Sequence, residues 1–361
     1  MAEAGTLAKA AGCDKVGAMK GTEDAGPAEL REAIEAEIAA AGGRIPFARF
    51  MELALYHPRL GYYTAGPERI GRAGDFFTSV SVGPLYGRIL AREFRRLRRE
   101  LGEPADFEVV EFGGRHGQLR ADVLAEAPEL RYSIVEAGGA QPPERIVGCV
   151  FSNEFLDALP VHRVTAAGGE WRELYVTATG EAARPFAEVV GPLSTPRLAA
   201  ALRELPVRLM DGYTTEVNLR ALDWLEDVAW RRVRGFVLTV DYGHERADYF
   251  APHRRAGTML CYHRHTRHAD PFCHVGEQDL TAHVEFTSLI EHGPRCGLAT
   301  VQFTDQARFL LEAGADLIAE IAARDAGRPS AERNAVHQLT HPSLMGRTFK
   351  VLLQRKEEGQ A

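Results

Sequence analysis

The segment Val109-Val110-Glu111-Phe112-Gly113-Gly114-Arg115-His116-Gly117-Gln118-Leu119 constrains the fold more than any other part of this chain. An apolar run ends in an acid, turns through glycines and opens into a helical pattern. That order reads as a strand, then a loop whose backbone a ligand can approach closely, then a helix N-terminus facing the loop. Arg115 stands where a nucleotide-type loop usually carries another glycine. If the position needs positive φ, a side chain there costs about 1 kcal/mol or more. The side chain then intrudes on the ligand, points outward or pairs with a carboxylate of the ligand.

The same alternation continues downstream. Short apolar runs at 107–112, 132–136, 146–152 and 236–240 read as strands, with helical patterns at 118–127 and 217–234. Continuous apolar strands alternating with helices predict a mostly parallel sheet covered on both faces. Segments 161–164 and 171–176 read as antiparallel strands around the Gly168-Gly169 turn. A strand at 258–262, a helix at 287–293, a strand at 298–303, helices between 305 and 323 and a last strand at 348–353 complete the count. Upstream, helices are expected at 28–41, from Pro46 to His57, and at 84–101, with a Gly- and aromatic-rich loop or hairpin at 59–83. Arg95, Arg96, Arg98 and Arg99 at the end of the third helix read as a solvated face complementing the helix dipole. The expected organisation is a disordered extension at 1–26 and a helical and loop lead-in at 27–104. The α/β core then runs over 105–361, with inserted elements around 160–215.

Bulk properties narrow the classes. The 361 residues carry a net charge of −7, which argues against the basic face that non-specific nucleic-acid binding needs. No apolar run approaches the eighteen or so residues of a membrane span. The five cysteines (Cys13, Cys149, Cys261, Cys273, Cys296) form no C-x-x-C pair, so a reduced setting is the simplest reading. The excess of Arg over Lys, with abundant Ala and Gly, reads as base-composition bias. Together these features predict a bacterial cytoplasmic protein.

Ligands of an open α/β sheet sit beyond the carboxyl ends of its strands. Here those ends are Glu111 with its glycine loop, Glu136, Asn153-Glu154, and Asp241-Tyr242-Gly243. Glu136 follows Glu111 at the spacing where an acid at the next strand end grips a ribose diol, accepting from both hydroxyls. Nicotinamide enzymes and S-adenosylmethionine enzymes share that acid. The loop separates them: it lacks the G-x-G-x-x-G of a dinucleotide site, and E-x-G-x-x-x-G fits a methyltransferase first motif better.

At this point the chain resembles the MidA/NDUFAF7-type class I methyltransferases, whose mitochondrial members act as protein arginine methyltransferases in complex I assembly. The resemblance runs from about Arg44 to the C-terminus. It rests on Arg44-Ile45-Pro46-Phe47-Ala48-Arg49-Phe50-Met51, Tyr56-His57-Pro58, Gly61-Tyr62-Tyr63, Gly74-Asp75-Phe76 with Thr78, and Asn153-Glu154-Phe155 with Asp157-Ala158-Leu159-Pro160-Val161. Asp241-Tyr242-Gly243, Asp279-Leu280-Thr281-Ala282-His283-Val284 with Phe286, and His341-Pro342 with Met345-Gly346 complete it.

The resemblance implies a Rossmann-like class I methyltransferase sheet, S-adenosyl-L-methionine as cofactor and a protein substrate, with no metal; the charge and the apolar run lengths exclude nucleic acid and membrane as expected partners, and a homodimer is left open. It implies that Glu111, Gly113, Gly114 and Gly117 surround the methionine part of the cofactor and Glu136 the ribose. Asp75, Phe76 and Thr78 belong to a loop closing over the cofactor. Asn153, Glu154 and Asp157 form the catalytic edge, where a carboxylate can hold a guanidinium and aim one nitrogen at the sulfonium methyl. Asp241, Tyr242 and His265 fall on the substrate side.

Two departures bear on activity: Arg115 replaces the second loop glycine, and only Ala137 to Val150 intervene where the family carries an extra helix and an adenine-bordering loop. The rival reading is a member that keeps the fold and serves as a binding or assembly factor. A nicotinamide oxidoreductase is third, and a Ser-His-Asp hydrolase lacks its G-x-S-x-G elbow. Cys261, His263, His265, His268, Cys273 and His274 crowd fourteen residues, but C-x-H-x-H-x-x-H is not a recognised zinc spacing.

Overall fold

Strands that are apolar on both faces must be covered on both faces, and the chain's most apolar runs occupy the middle of its largest sheet. In the computed structural model, which describes residues 25–65, 78–115, 117–203, 205, 210–231, 233–326 and 328–356, all of Ile146–Asn153 is buried. This strand is flanked by Glu108–Phe112 and Val233–His244, both parallel to it. Arg131–Val135 extends the parallel set beyond Glu108–Phe112. On the other side Phe349–Lys356 runs antiparallel to Val233–His244, and Leu298–Asp305 antiparallel to Phe349–Lys356. Val284–Glu285 adds a short parallel pairing at the far end of Val233–His244. The sheet is therefore parallel through its site-bearing strands and antiparallel only at Phe349–Lys356.

Helices cover both faces for reasons visible in their spacing. Leu85–Glu100 buries Leu85, Tyr86, Ile89, Leu90, Phe94 and Leu97, an i, i+3, i+4 stripe, against one face together with Leu119 and Val123 of Gln118–Glu126. Its basic end is paired as well as solvated: Arg95 reaches Glu129 at 2.7 Å, and Arg96 lies between Glu93 and Glu100. On the opposite face Leu219–Trp230 buries Ala221, Trp224, Leu225 and Val228, and Asn218 caps it by accepting from the Ala221 amide at 2.9 Å. The expected single helix over 217–234 is thus shorter. Its last residues already belong to the strand Val233–His244.

The second layer of organisation is an antiparallel sheet of five strands, in the order Ile45–Pro46, Glu170–Ala178, His162–Ala167, Thr214–Val217, with Phe186–Gly191 also paired to Glu170–Ala178. Ile45-Pro46 pairs with Val176-Tyr175, so the N-terminal segment is laced into the inserted strands. One apolar cluster joins helices Ala28–Ala40 and Phe47–Tyr56 to Val161, Val176, Phe186, Met259, Phe272, Leu280 and Ala282. A third, three-stranded sheet (Thr266–His268, Leu260–His263, Asp279–Thr281) leans on that cluster and carries Asp279. The expected extension at 1–26 lies almost wholly outside the described residues, and Ala25 is buried. Among the described residues no helix is long and apolar enough to cross a membrane.

Candidate active site

The loop after Glu108–Phe112 has the backbone its glycines suggest. Gly113 and Gly117 have φ of 75° and 70°, and Gly117 opens the helix Gln118–Glu126. Gly114 meets a different demand: a Cβ there would fall 2.5 Å from Oε2 of Glu111, so only glycine lets the loop lie on that carboxyl. Arg115 does occupy the left-handed region, at φ 46°. Its guanidinium turns to the far wall, with Cζ 4.8 Å from the ring centroid of Tyr63 and Nη2 4.0 Å from Oδ2 of Asp279.

A cavity of about 410 Å³ opens beside this loop, at the carboxyl edge of the parallel strands. Glu111, Gly113, Gly114, Glu136, Asn153, Glu154, Asp157 and Thr78 all line it. A second hollow of about 420 Å³ shares Tyr56, Glu136, Ala137 and Phe155 with the first, and is walled by Phe112, Val135, Leu159 and Trp224. The rings of Phe112, Phe155 and Trp224 pack within 5.8 Å of one another. The two hollows are of a size that holds a small-molecule ligand.

Electrostatically the cavity is crowded with acids. Burial pushes Glu111 up to about 7, against the stabilising hydrogen bond that the Tyr132 hydroxyl donates to it at 2.9 Å. Burial and the neighbouring charge of Asp157 push Glu154 up to about 8. Burial, with Asp241 and Asp279 close by, holds Asp157 well above the usual carboxylate range. Glu154 has φ 52°, a left-handed conformation held by its amide bond to the Val240 carbonyl at 3.0 Å. The Asn153 amide donates to Glu154 Oε1 at 3.1 Å, and Asn153 Oδ1 accepts from the Tyr86 hydroxyl at 2.7 Å. A chain of fixed groups therefore aims the Glu154 carboxyl. Strained backbone, buried acids and an orienting network in one cavity are a common signature of a functional site.

The expected site residues divide into three sets. Thr78, Glu111, Gly113, Gly114, Glu136, Asn153, Glu154 and Asp157 come together on the cavity wall, and Gly117 stands just behind them at the helix start. Asp75 and Phe76 lie outside the described residues. Asp241, Tyr242 and His265 are not among the lining residues. Asp241 is fully buried beneath the 153–157 turn, where one oxygen accepts from the amides of Phe155, Leu156 and Asp157 at 2.9 to 3.3 Å. Its other oxygen accepts from the Tyr242 amide. The carboxylate is wholly engaged by backbone, which leaves it to shape the turn. Tyr242 packs on Phe349 with ring centroids 4.0 Å apart, and His265 sits exposed in the turn between Leu260–His263 and Thr266–His268.

Tyr56, Tyr63, Asp279 and Thr281 also line the cavity, and no role was expected of them. The available signal was their place in the Tyr56-His57-Pro58, Gly61-Tyr62-Tyr63 and Asp279-Leu280-Thr281 motifs. Among the described residues, the group whose ligand atoms lie close enough to share an ion is Glu226, His292 and Cys296, away from the 261–274 crowd.

A glycine loop before a helix, an acid at the next strand end and buried carboxylates at the third define an S-adenosyl-L-methionine-dependent methyltransferase of the class I fold. Residues 137–304 match the family described as "Putative S-adenosyl-L-methionine-dependent methyltransferase". A Burkholderia thailandensis protein crystallised with S-adenosyl-homocysteine is 35% identical and superposes with a TM-score of 0.82, over 91% of this chain and 92% of that one. The Drosophila melanogaster protein named protein arginine methyltransferase NDUFAF7 homolog, mitochondrial, is 27% identical over 91% of this chain and 85% of its own. The Homo sapiens protein arginine methyltransferase NDUFAF7, mitochondrial, is 24% identical over 85% and 79%. The chain belongs to this methyltransferase family.

The reading as a catalytically silent assembly factor is not favoured by these likenesses. The expected cytoplasmic setting is corrected by them, because the curated relatives are named as mitochondrial proteins.

The residues present fit the cofactor. A carboxylate at Glu136 suits a ribose diol, the side-chain-free backbone at Gly113, Gly114 and Gly117 suits close approach, and the adjoining hollow offers aromatic walls to a flat base.

Proposed function

We propose that this methyltransferase acts on an arginine side chain of a protein. The observation that carries the reading is the convergence of Glu154, Asp157 and Asp279 on one wall of the cavity beside the glycine loop. A guanidinium is a planar, permanently charged donor, and carboxylates recognise it by paired, charge-assisted bonds. The names of the Drosophila and human relatives point to the same acceptor.

In this reading Gly113, Gly114 and Gly117, with Glu111 beneath them, hold the methionine end of the cofactor, and Glu136 holds the ribose. Thr78 closes the facing wall. The hollow between Phe112, Phe155 and Trp224 takes the base, in place of the segment that the short 137–150 connection lacks. Bound there, S-adenosyl-L-methionine supplies a sulfonium methyl activated for attack by nitrogen. Glu154 and Asp157 hold the guanidinium and orient one of its nitrogens, and one of them takes up the proton that nitrogen releases. Held at about 8, Glu154 keeps its proton at neutral pH in the empty site and gives it up as the cation arrives.

Calorimetric titration with S-adenosyl-L-methionine and S-adenosyl-homocysteine tests the cofactor part, on the wild type and on Arg115→Gly. Binding in the micromolar range by the wild type is expected. Binding only by Arg115→Gly would mean a site closed by its own loop, and binding by neither would sink the reading. Transfer of labelled methyl to an arginine-containing acceptor protein, absent with an arginine-to-lysine acceptor, tests the rest.

A further inference from the structure

The strain at Arg115 has a geometry at its other end. Its guanidinium lies over the Tyr63 ring at 4.8 Å and within 6.0 Å of the Tyr62 ring centroid, with Asp279 beside it. Asp279 is buried and fixed, because the Tyr63 hydroxyl donates to its two oxygens at 2.7 and 2.8 Å. Tyr63 is in turn stacked on Tyr56, whose hydroxyl donates to the Ala158 carbonyl at 3.1 Å. An aromatic face below and a preoriented carboxylate at the edge are what a planar cation requires. Among the described residues lining the cavity, Arg115 is the one cation facing five carboxylates. Asp157 and Glu154, on the same wall, also feel its charge.

We propose that the Tyr63–Asp279 corner is the seat of the acceptor guanidinium, and that Arg115 fills this seat when no acceptor is bound. The proposal rests on the arginine-acceptor reading above and adds to it a binding site and an internal competitor. Occupying the corner neutralises a carboxylate that would otherwise stand buried beside two others, which offsets the left-handed backbone the loop must adopt. Release is built in. The Arg115 side chain is 35% exposed and hangs from a loop, so it can swing to solvent without disturbing the wall. An incoming arginine then finds the ring, the carboxylate and the Glu154–Asp157 pair already in place. The acceptor must displace Arg115, so the free enzyme discriminates against weak cations.

The probe is Nα-acetyl-arginine amide, titrated calorimetrically into protein with and without saturating S-adenosyl-homocysteine, with the lysine and citrulline counterparts as controls. Arg115→Gly and Arg115→Asn both remove the guanidinium while tolerating the left-handed backbone, so either keeps the test open if the other misfolds. Each is expected to bind the arginine probe about tenfold more tightly than the wild type, the scale of one cation–π contact plus one loose ion pair. The gain should vanish in Arg115→Gly/Asp279→Asn and shrink in Arg115→Gly/Tyr63→Phe, while the citrulline probe shows no gain in any variant. Equal arginine affinity in the wild type and both Arg115 variants would overturn the proposal, as would a gain that survives the loss of Asp279. The homocysteine titration reads separately. If S-adenosyl-homocysteine fails to bind, the methyltransferase reading fails, and the arginine titration without it still decides the seat.

Discussion

Two neighbouring parallel strands, Ile146–Asn153 and Val233–His244, bring an acid to the same edge of the sheet, Glu154 just after the first and Asp241 near the end of the second, and the two acids do opposite things. Glu154 faces the cavity, lifted to about 8 by burial and by Asp157, and its carboxyl is aimed by side chains. Asp241 is as deeply buried, yet three successive amides of the 153–157 turn close on one of its oxygens. Burial and Glu154 push it up to about 7 while the Leu156, Phe155 and Tyr242 amides pull the other way. One acid is left to the ligand and the other makes the turn that presents it. A polar strand end therefore marks where a site is, while its partners decide whether it acts or supports.

The sharpest way to break this contrast is to remove each acid in turn. Asp241→Ala leaves four backbone amides without their acceptor and should lower stability by about 3–5 kcal/mol in urea unfolding, the range for breaking a buried charged network. If Asp241→Ala unfolds like the wild type and only activity falls, the supporting role is wrong. Glu154→Gln should leave the fold at least as stable as the wild type at neutral pH, because the variant has no buried carboxyl to ionise, and should retain cofactor binding, while methyl transfer falls about a hundredfold or more. Undiminished transfer would remove Glu154 from the chemistry.

Acidity sharpens the same comparison. Glu111 and Glu154 are raised from 4.5 to about 7 and about 8, so the folded state holds protons that the unfolded chain has released. Stability should therefore fall as pH rises from about 4.5 to about 8, by up to about 1.4 kcal/mol per pH unit for each such group. Glu154→Gln should flatten the upper part of that slope, between pH 7 and 8, as measured by unfolding midpoints across the range. An unchanged slope would mean that Glu154 is ionised in the folded protein.

Smaller effects lie further from the pair. Arg115→Gly should leave the thermal midpoint close to that of the wild type, because about 1 kcal/mol of left-handed strain is relieved while the contact with Asp279 that offsets it is lost. His265→Ala, at an exposed turn outside the cavity, should change stability by no more than about 0.5 kcal/mol and leave transfer kinetics untouched.

The legible parts of the molecule are those governed by local physics. Apolar runs at Val109-Val110 and through Val147 to Phe151 have to be interior strands, and a glycine turn before a helical pattern has to be a loop a ligand can approach. Hence Glu111, Glu136, Asn153 and Glu154 could be placed on one edge from the sequence pattern, and the family resemblance added Asp157. The helix Ala331–Thr340 escaped because it buries only Ala335 and Leu339, too few to show a period. Phe186–Gly191 and Thr214–Val217 escaped because short edge-like strands carry little alternation. The role of Asp241 was unreadable for a different reason. Its partners are backbone amides from another strand end, and amides have no sequence signature. Tyr63 and Asp279 lie far apart in the chain and meet only because the small sheet and the inserted strands fold onto one cluster.

The pairing of Ile45-Pro46 with Val176-Tyr175 has a consequence in time. Its partners are separated by more than a third of the chain, so the closing loop is long and the contact forms only after both segments are made and gathered. Helix Phe47–Tyr56, which carries Tyr56, follows directly on that pairing and shares its apolar cluster with Leu280, next to Asp279. The parallel sheet, by contrast, joins strands that are closer neighbours in sequence between Glu108 and Asn153. On a ribosome the glycine loop and its acids can be in place while the wall they face is still being assembled. On the function proposed above, a newly made molecule would then hold its cofactor loop before it can take an acceptor, and maturation of activity should lag behind the gain of sheet structure.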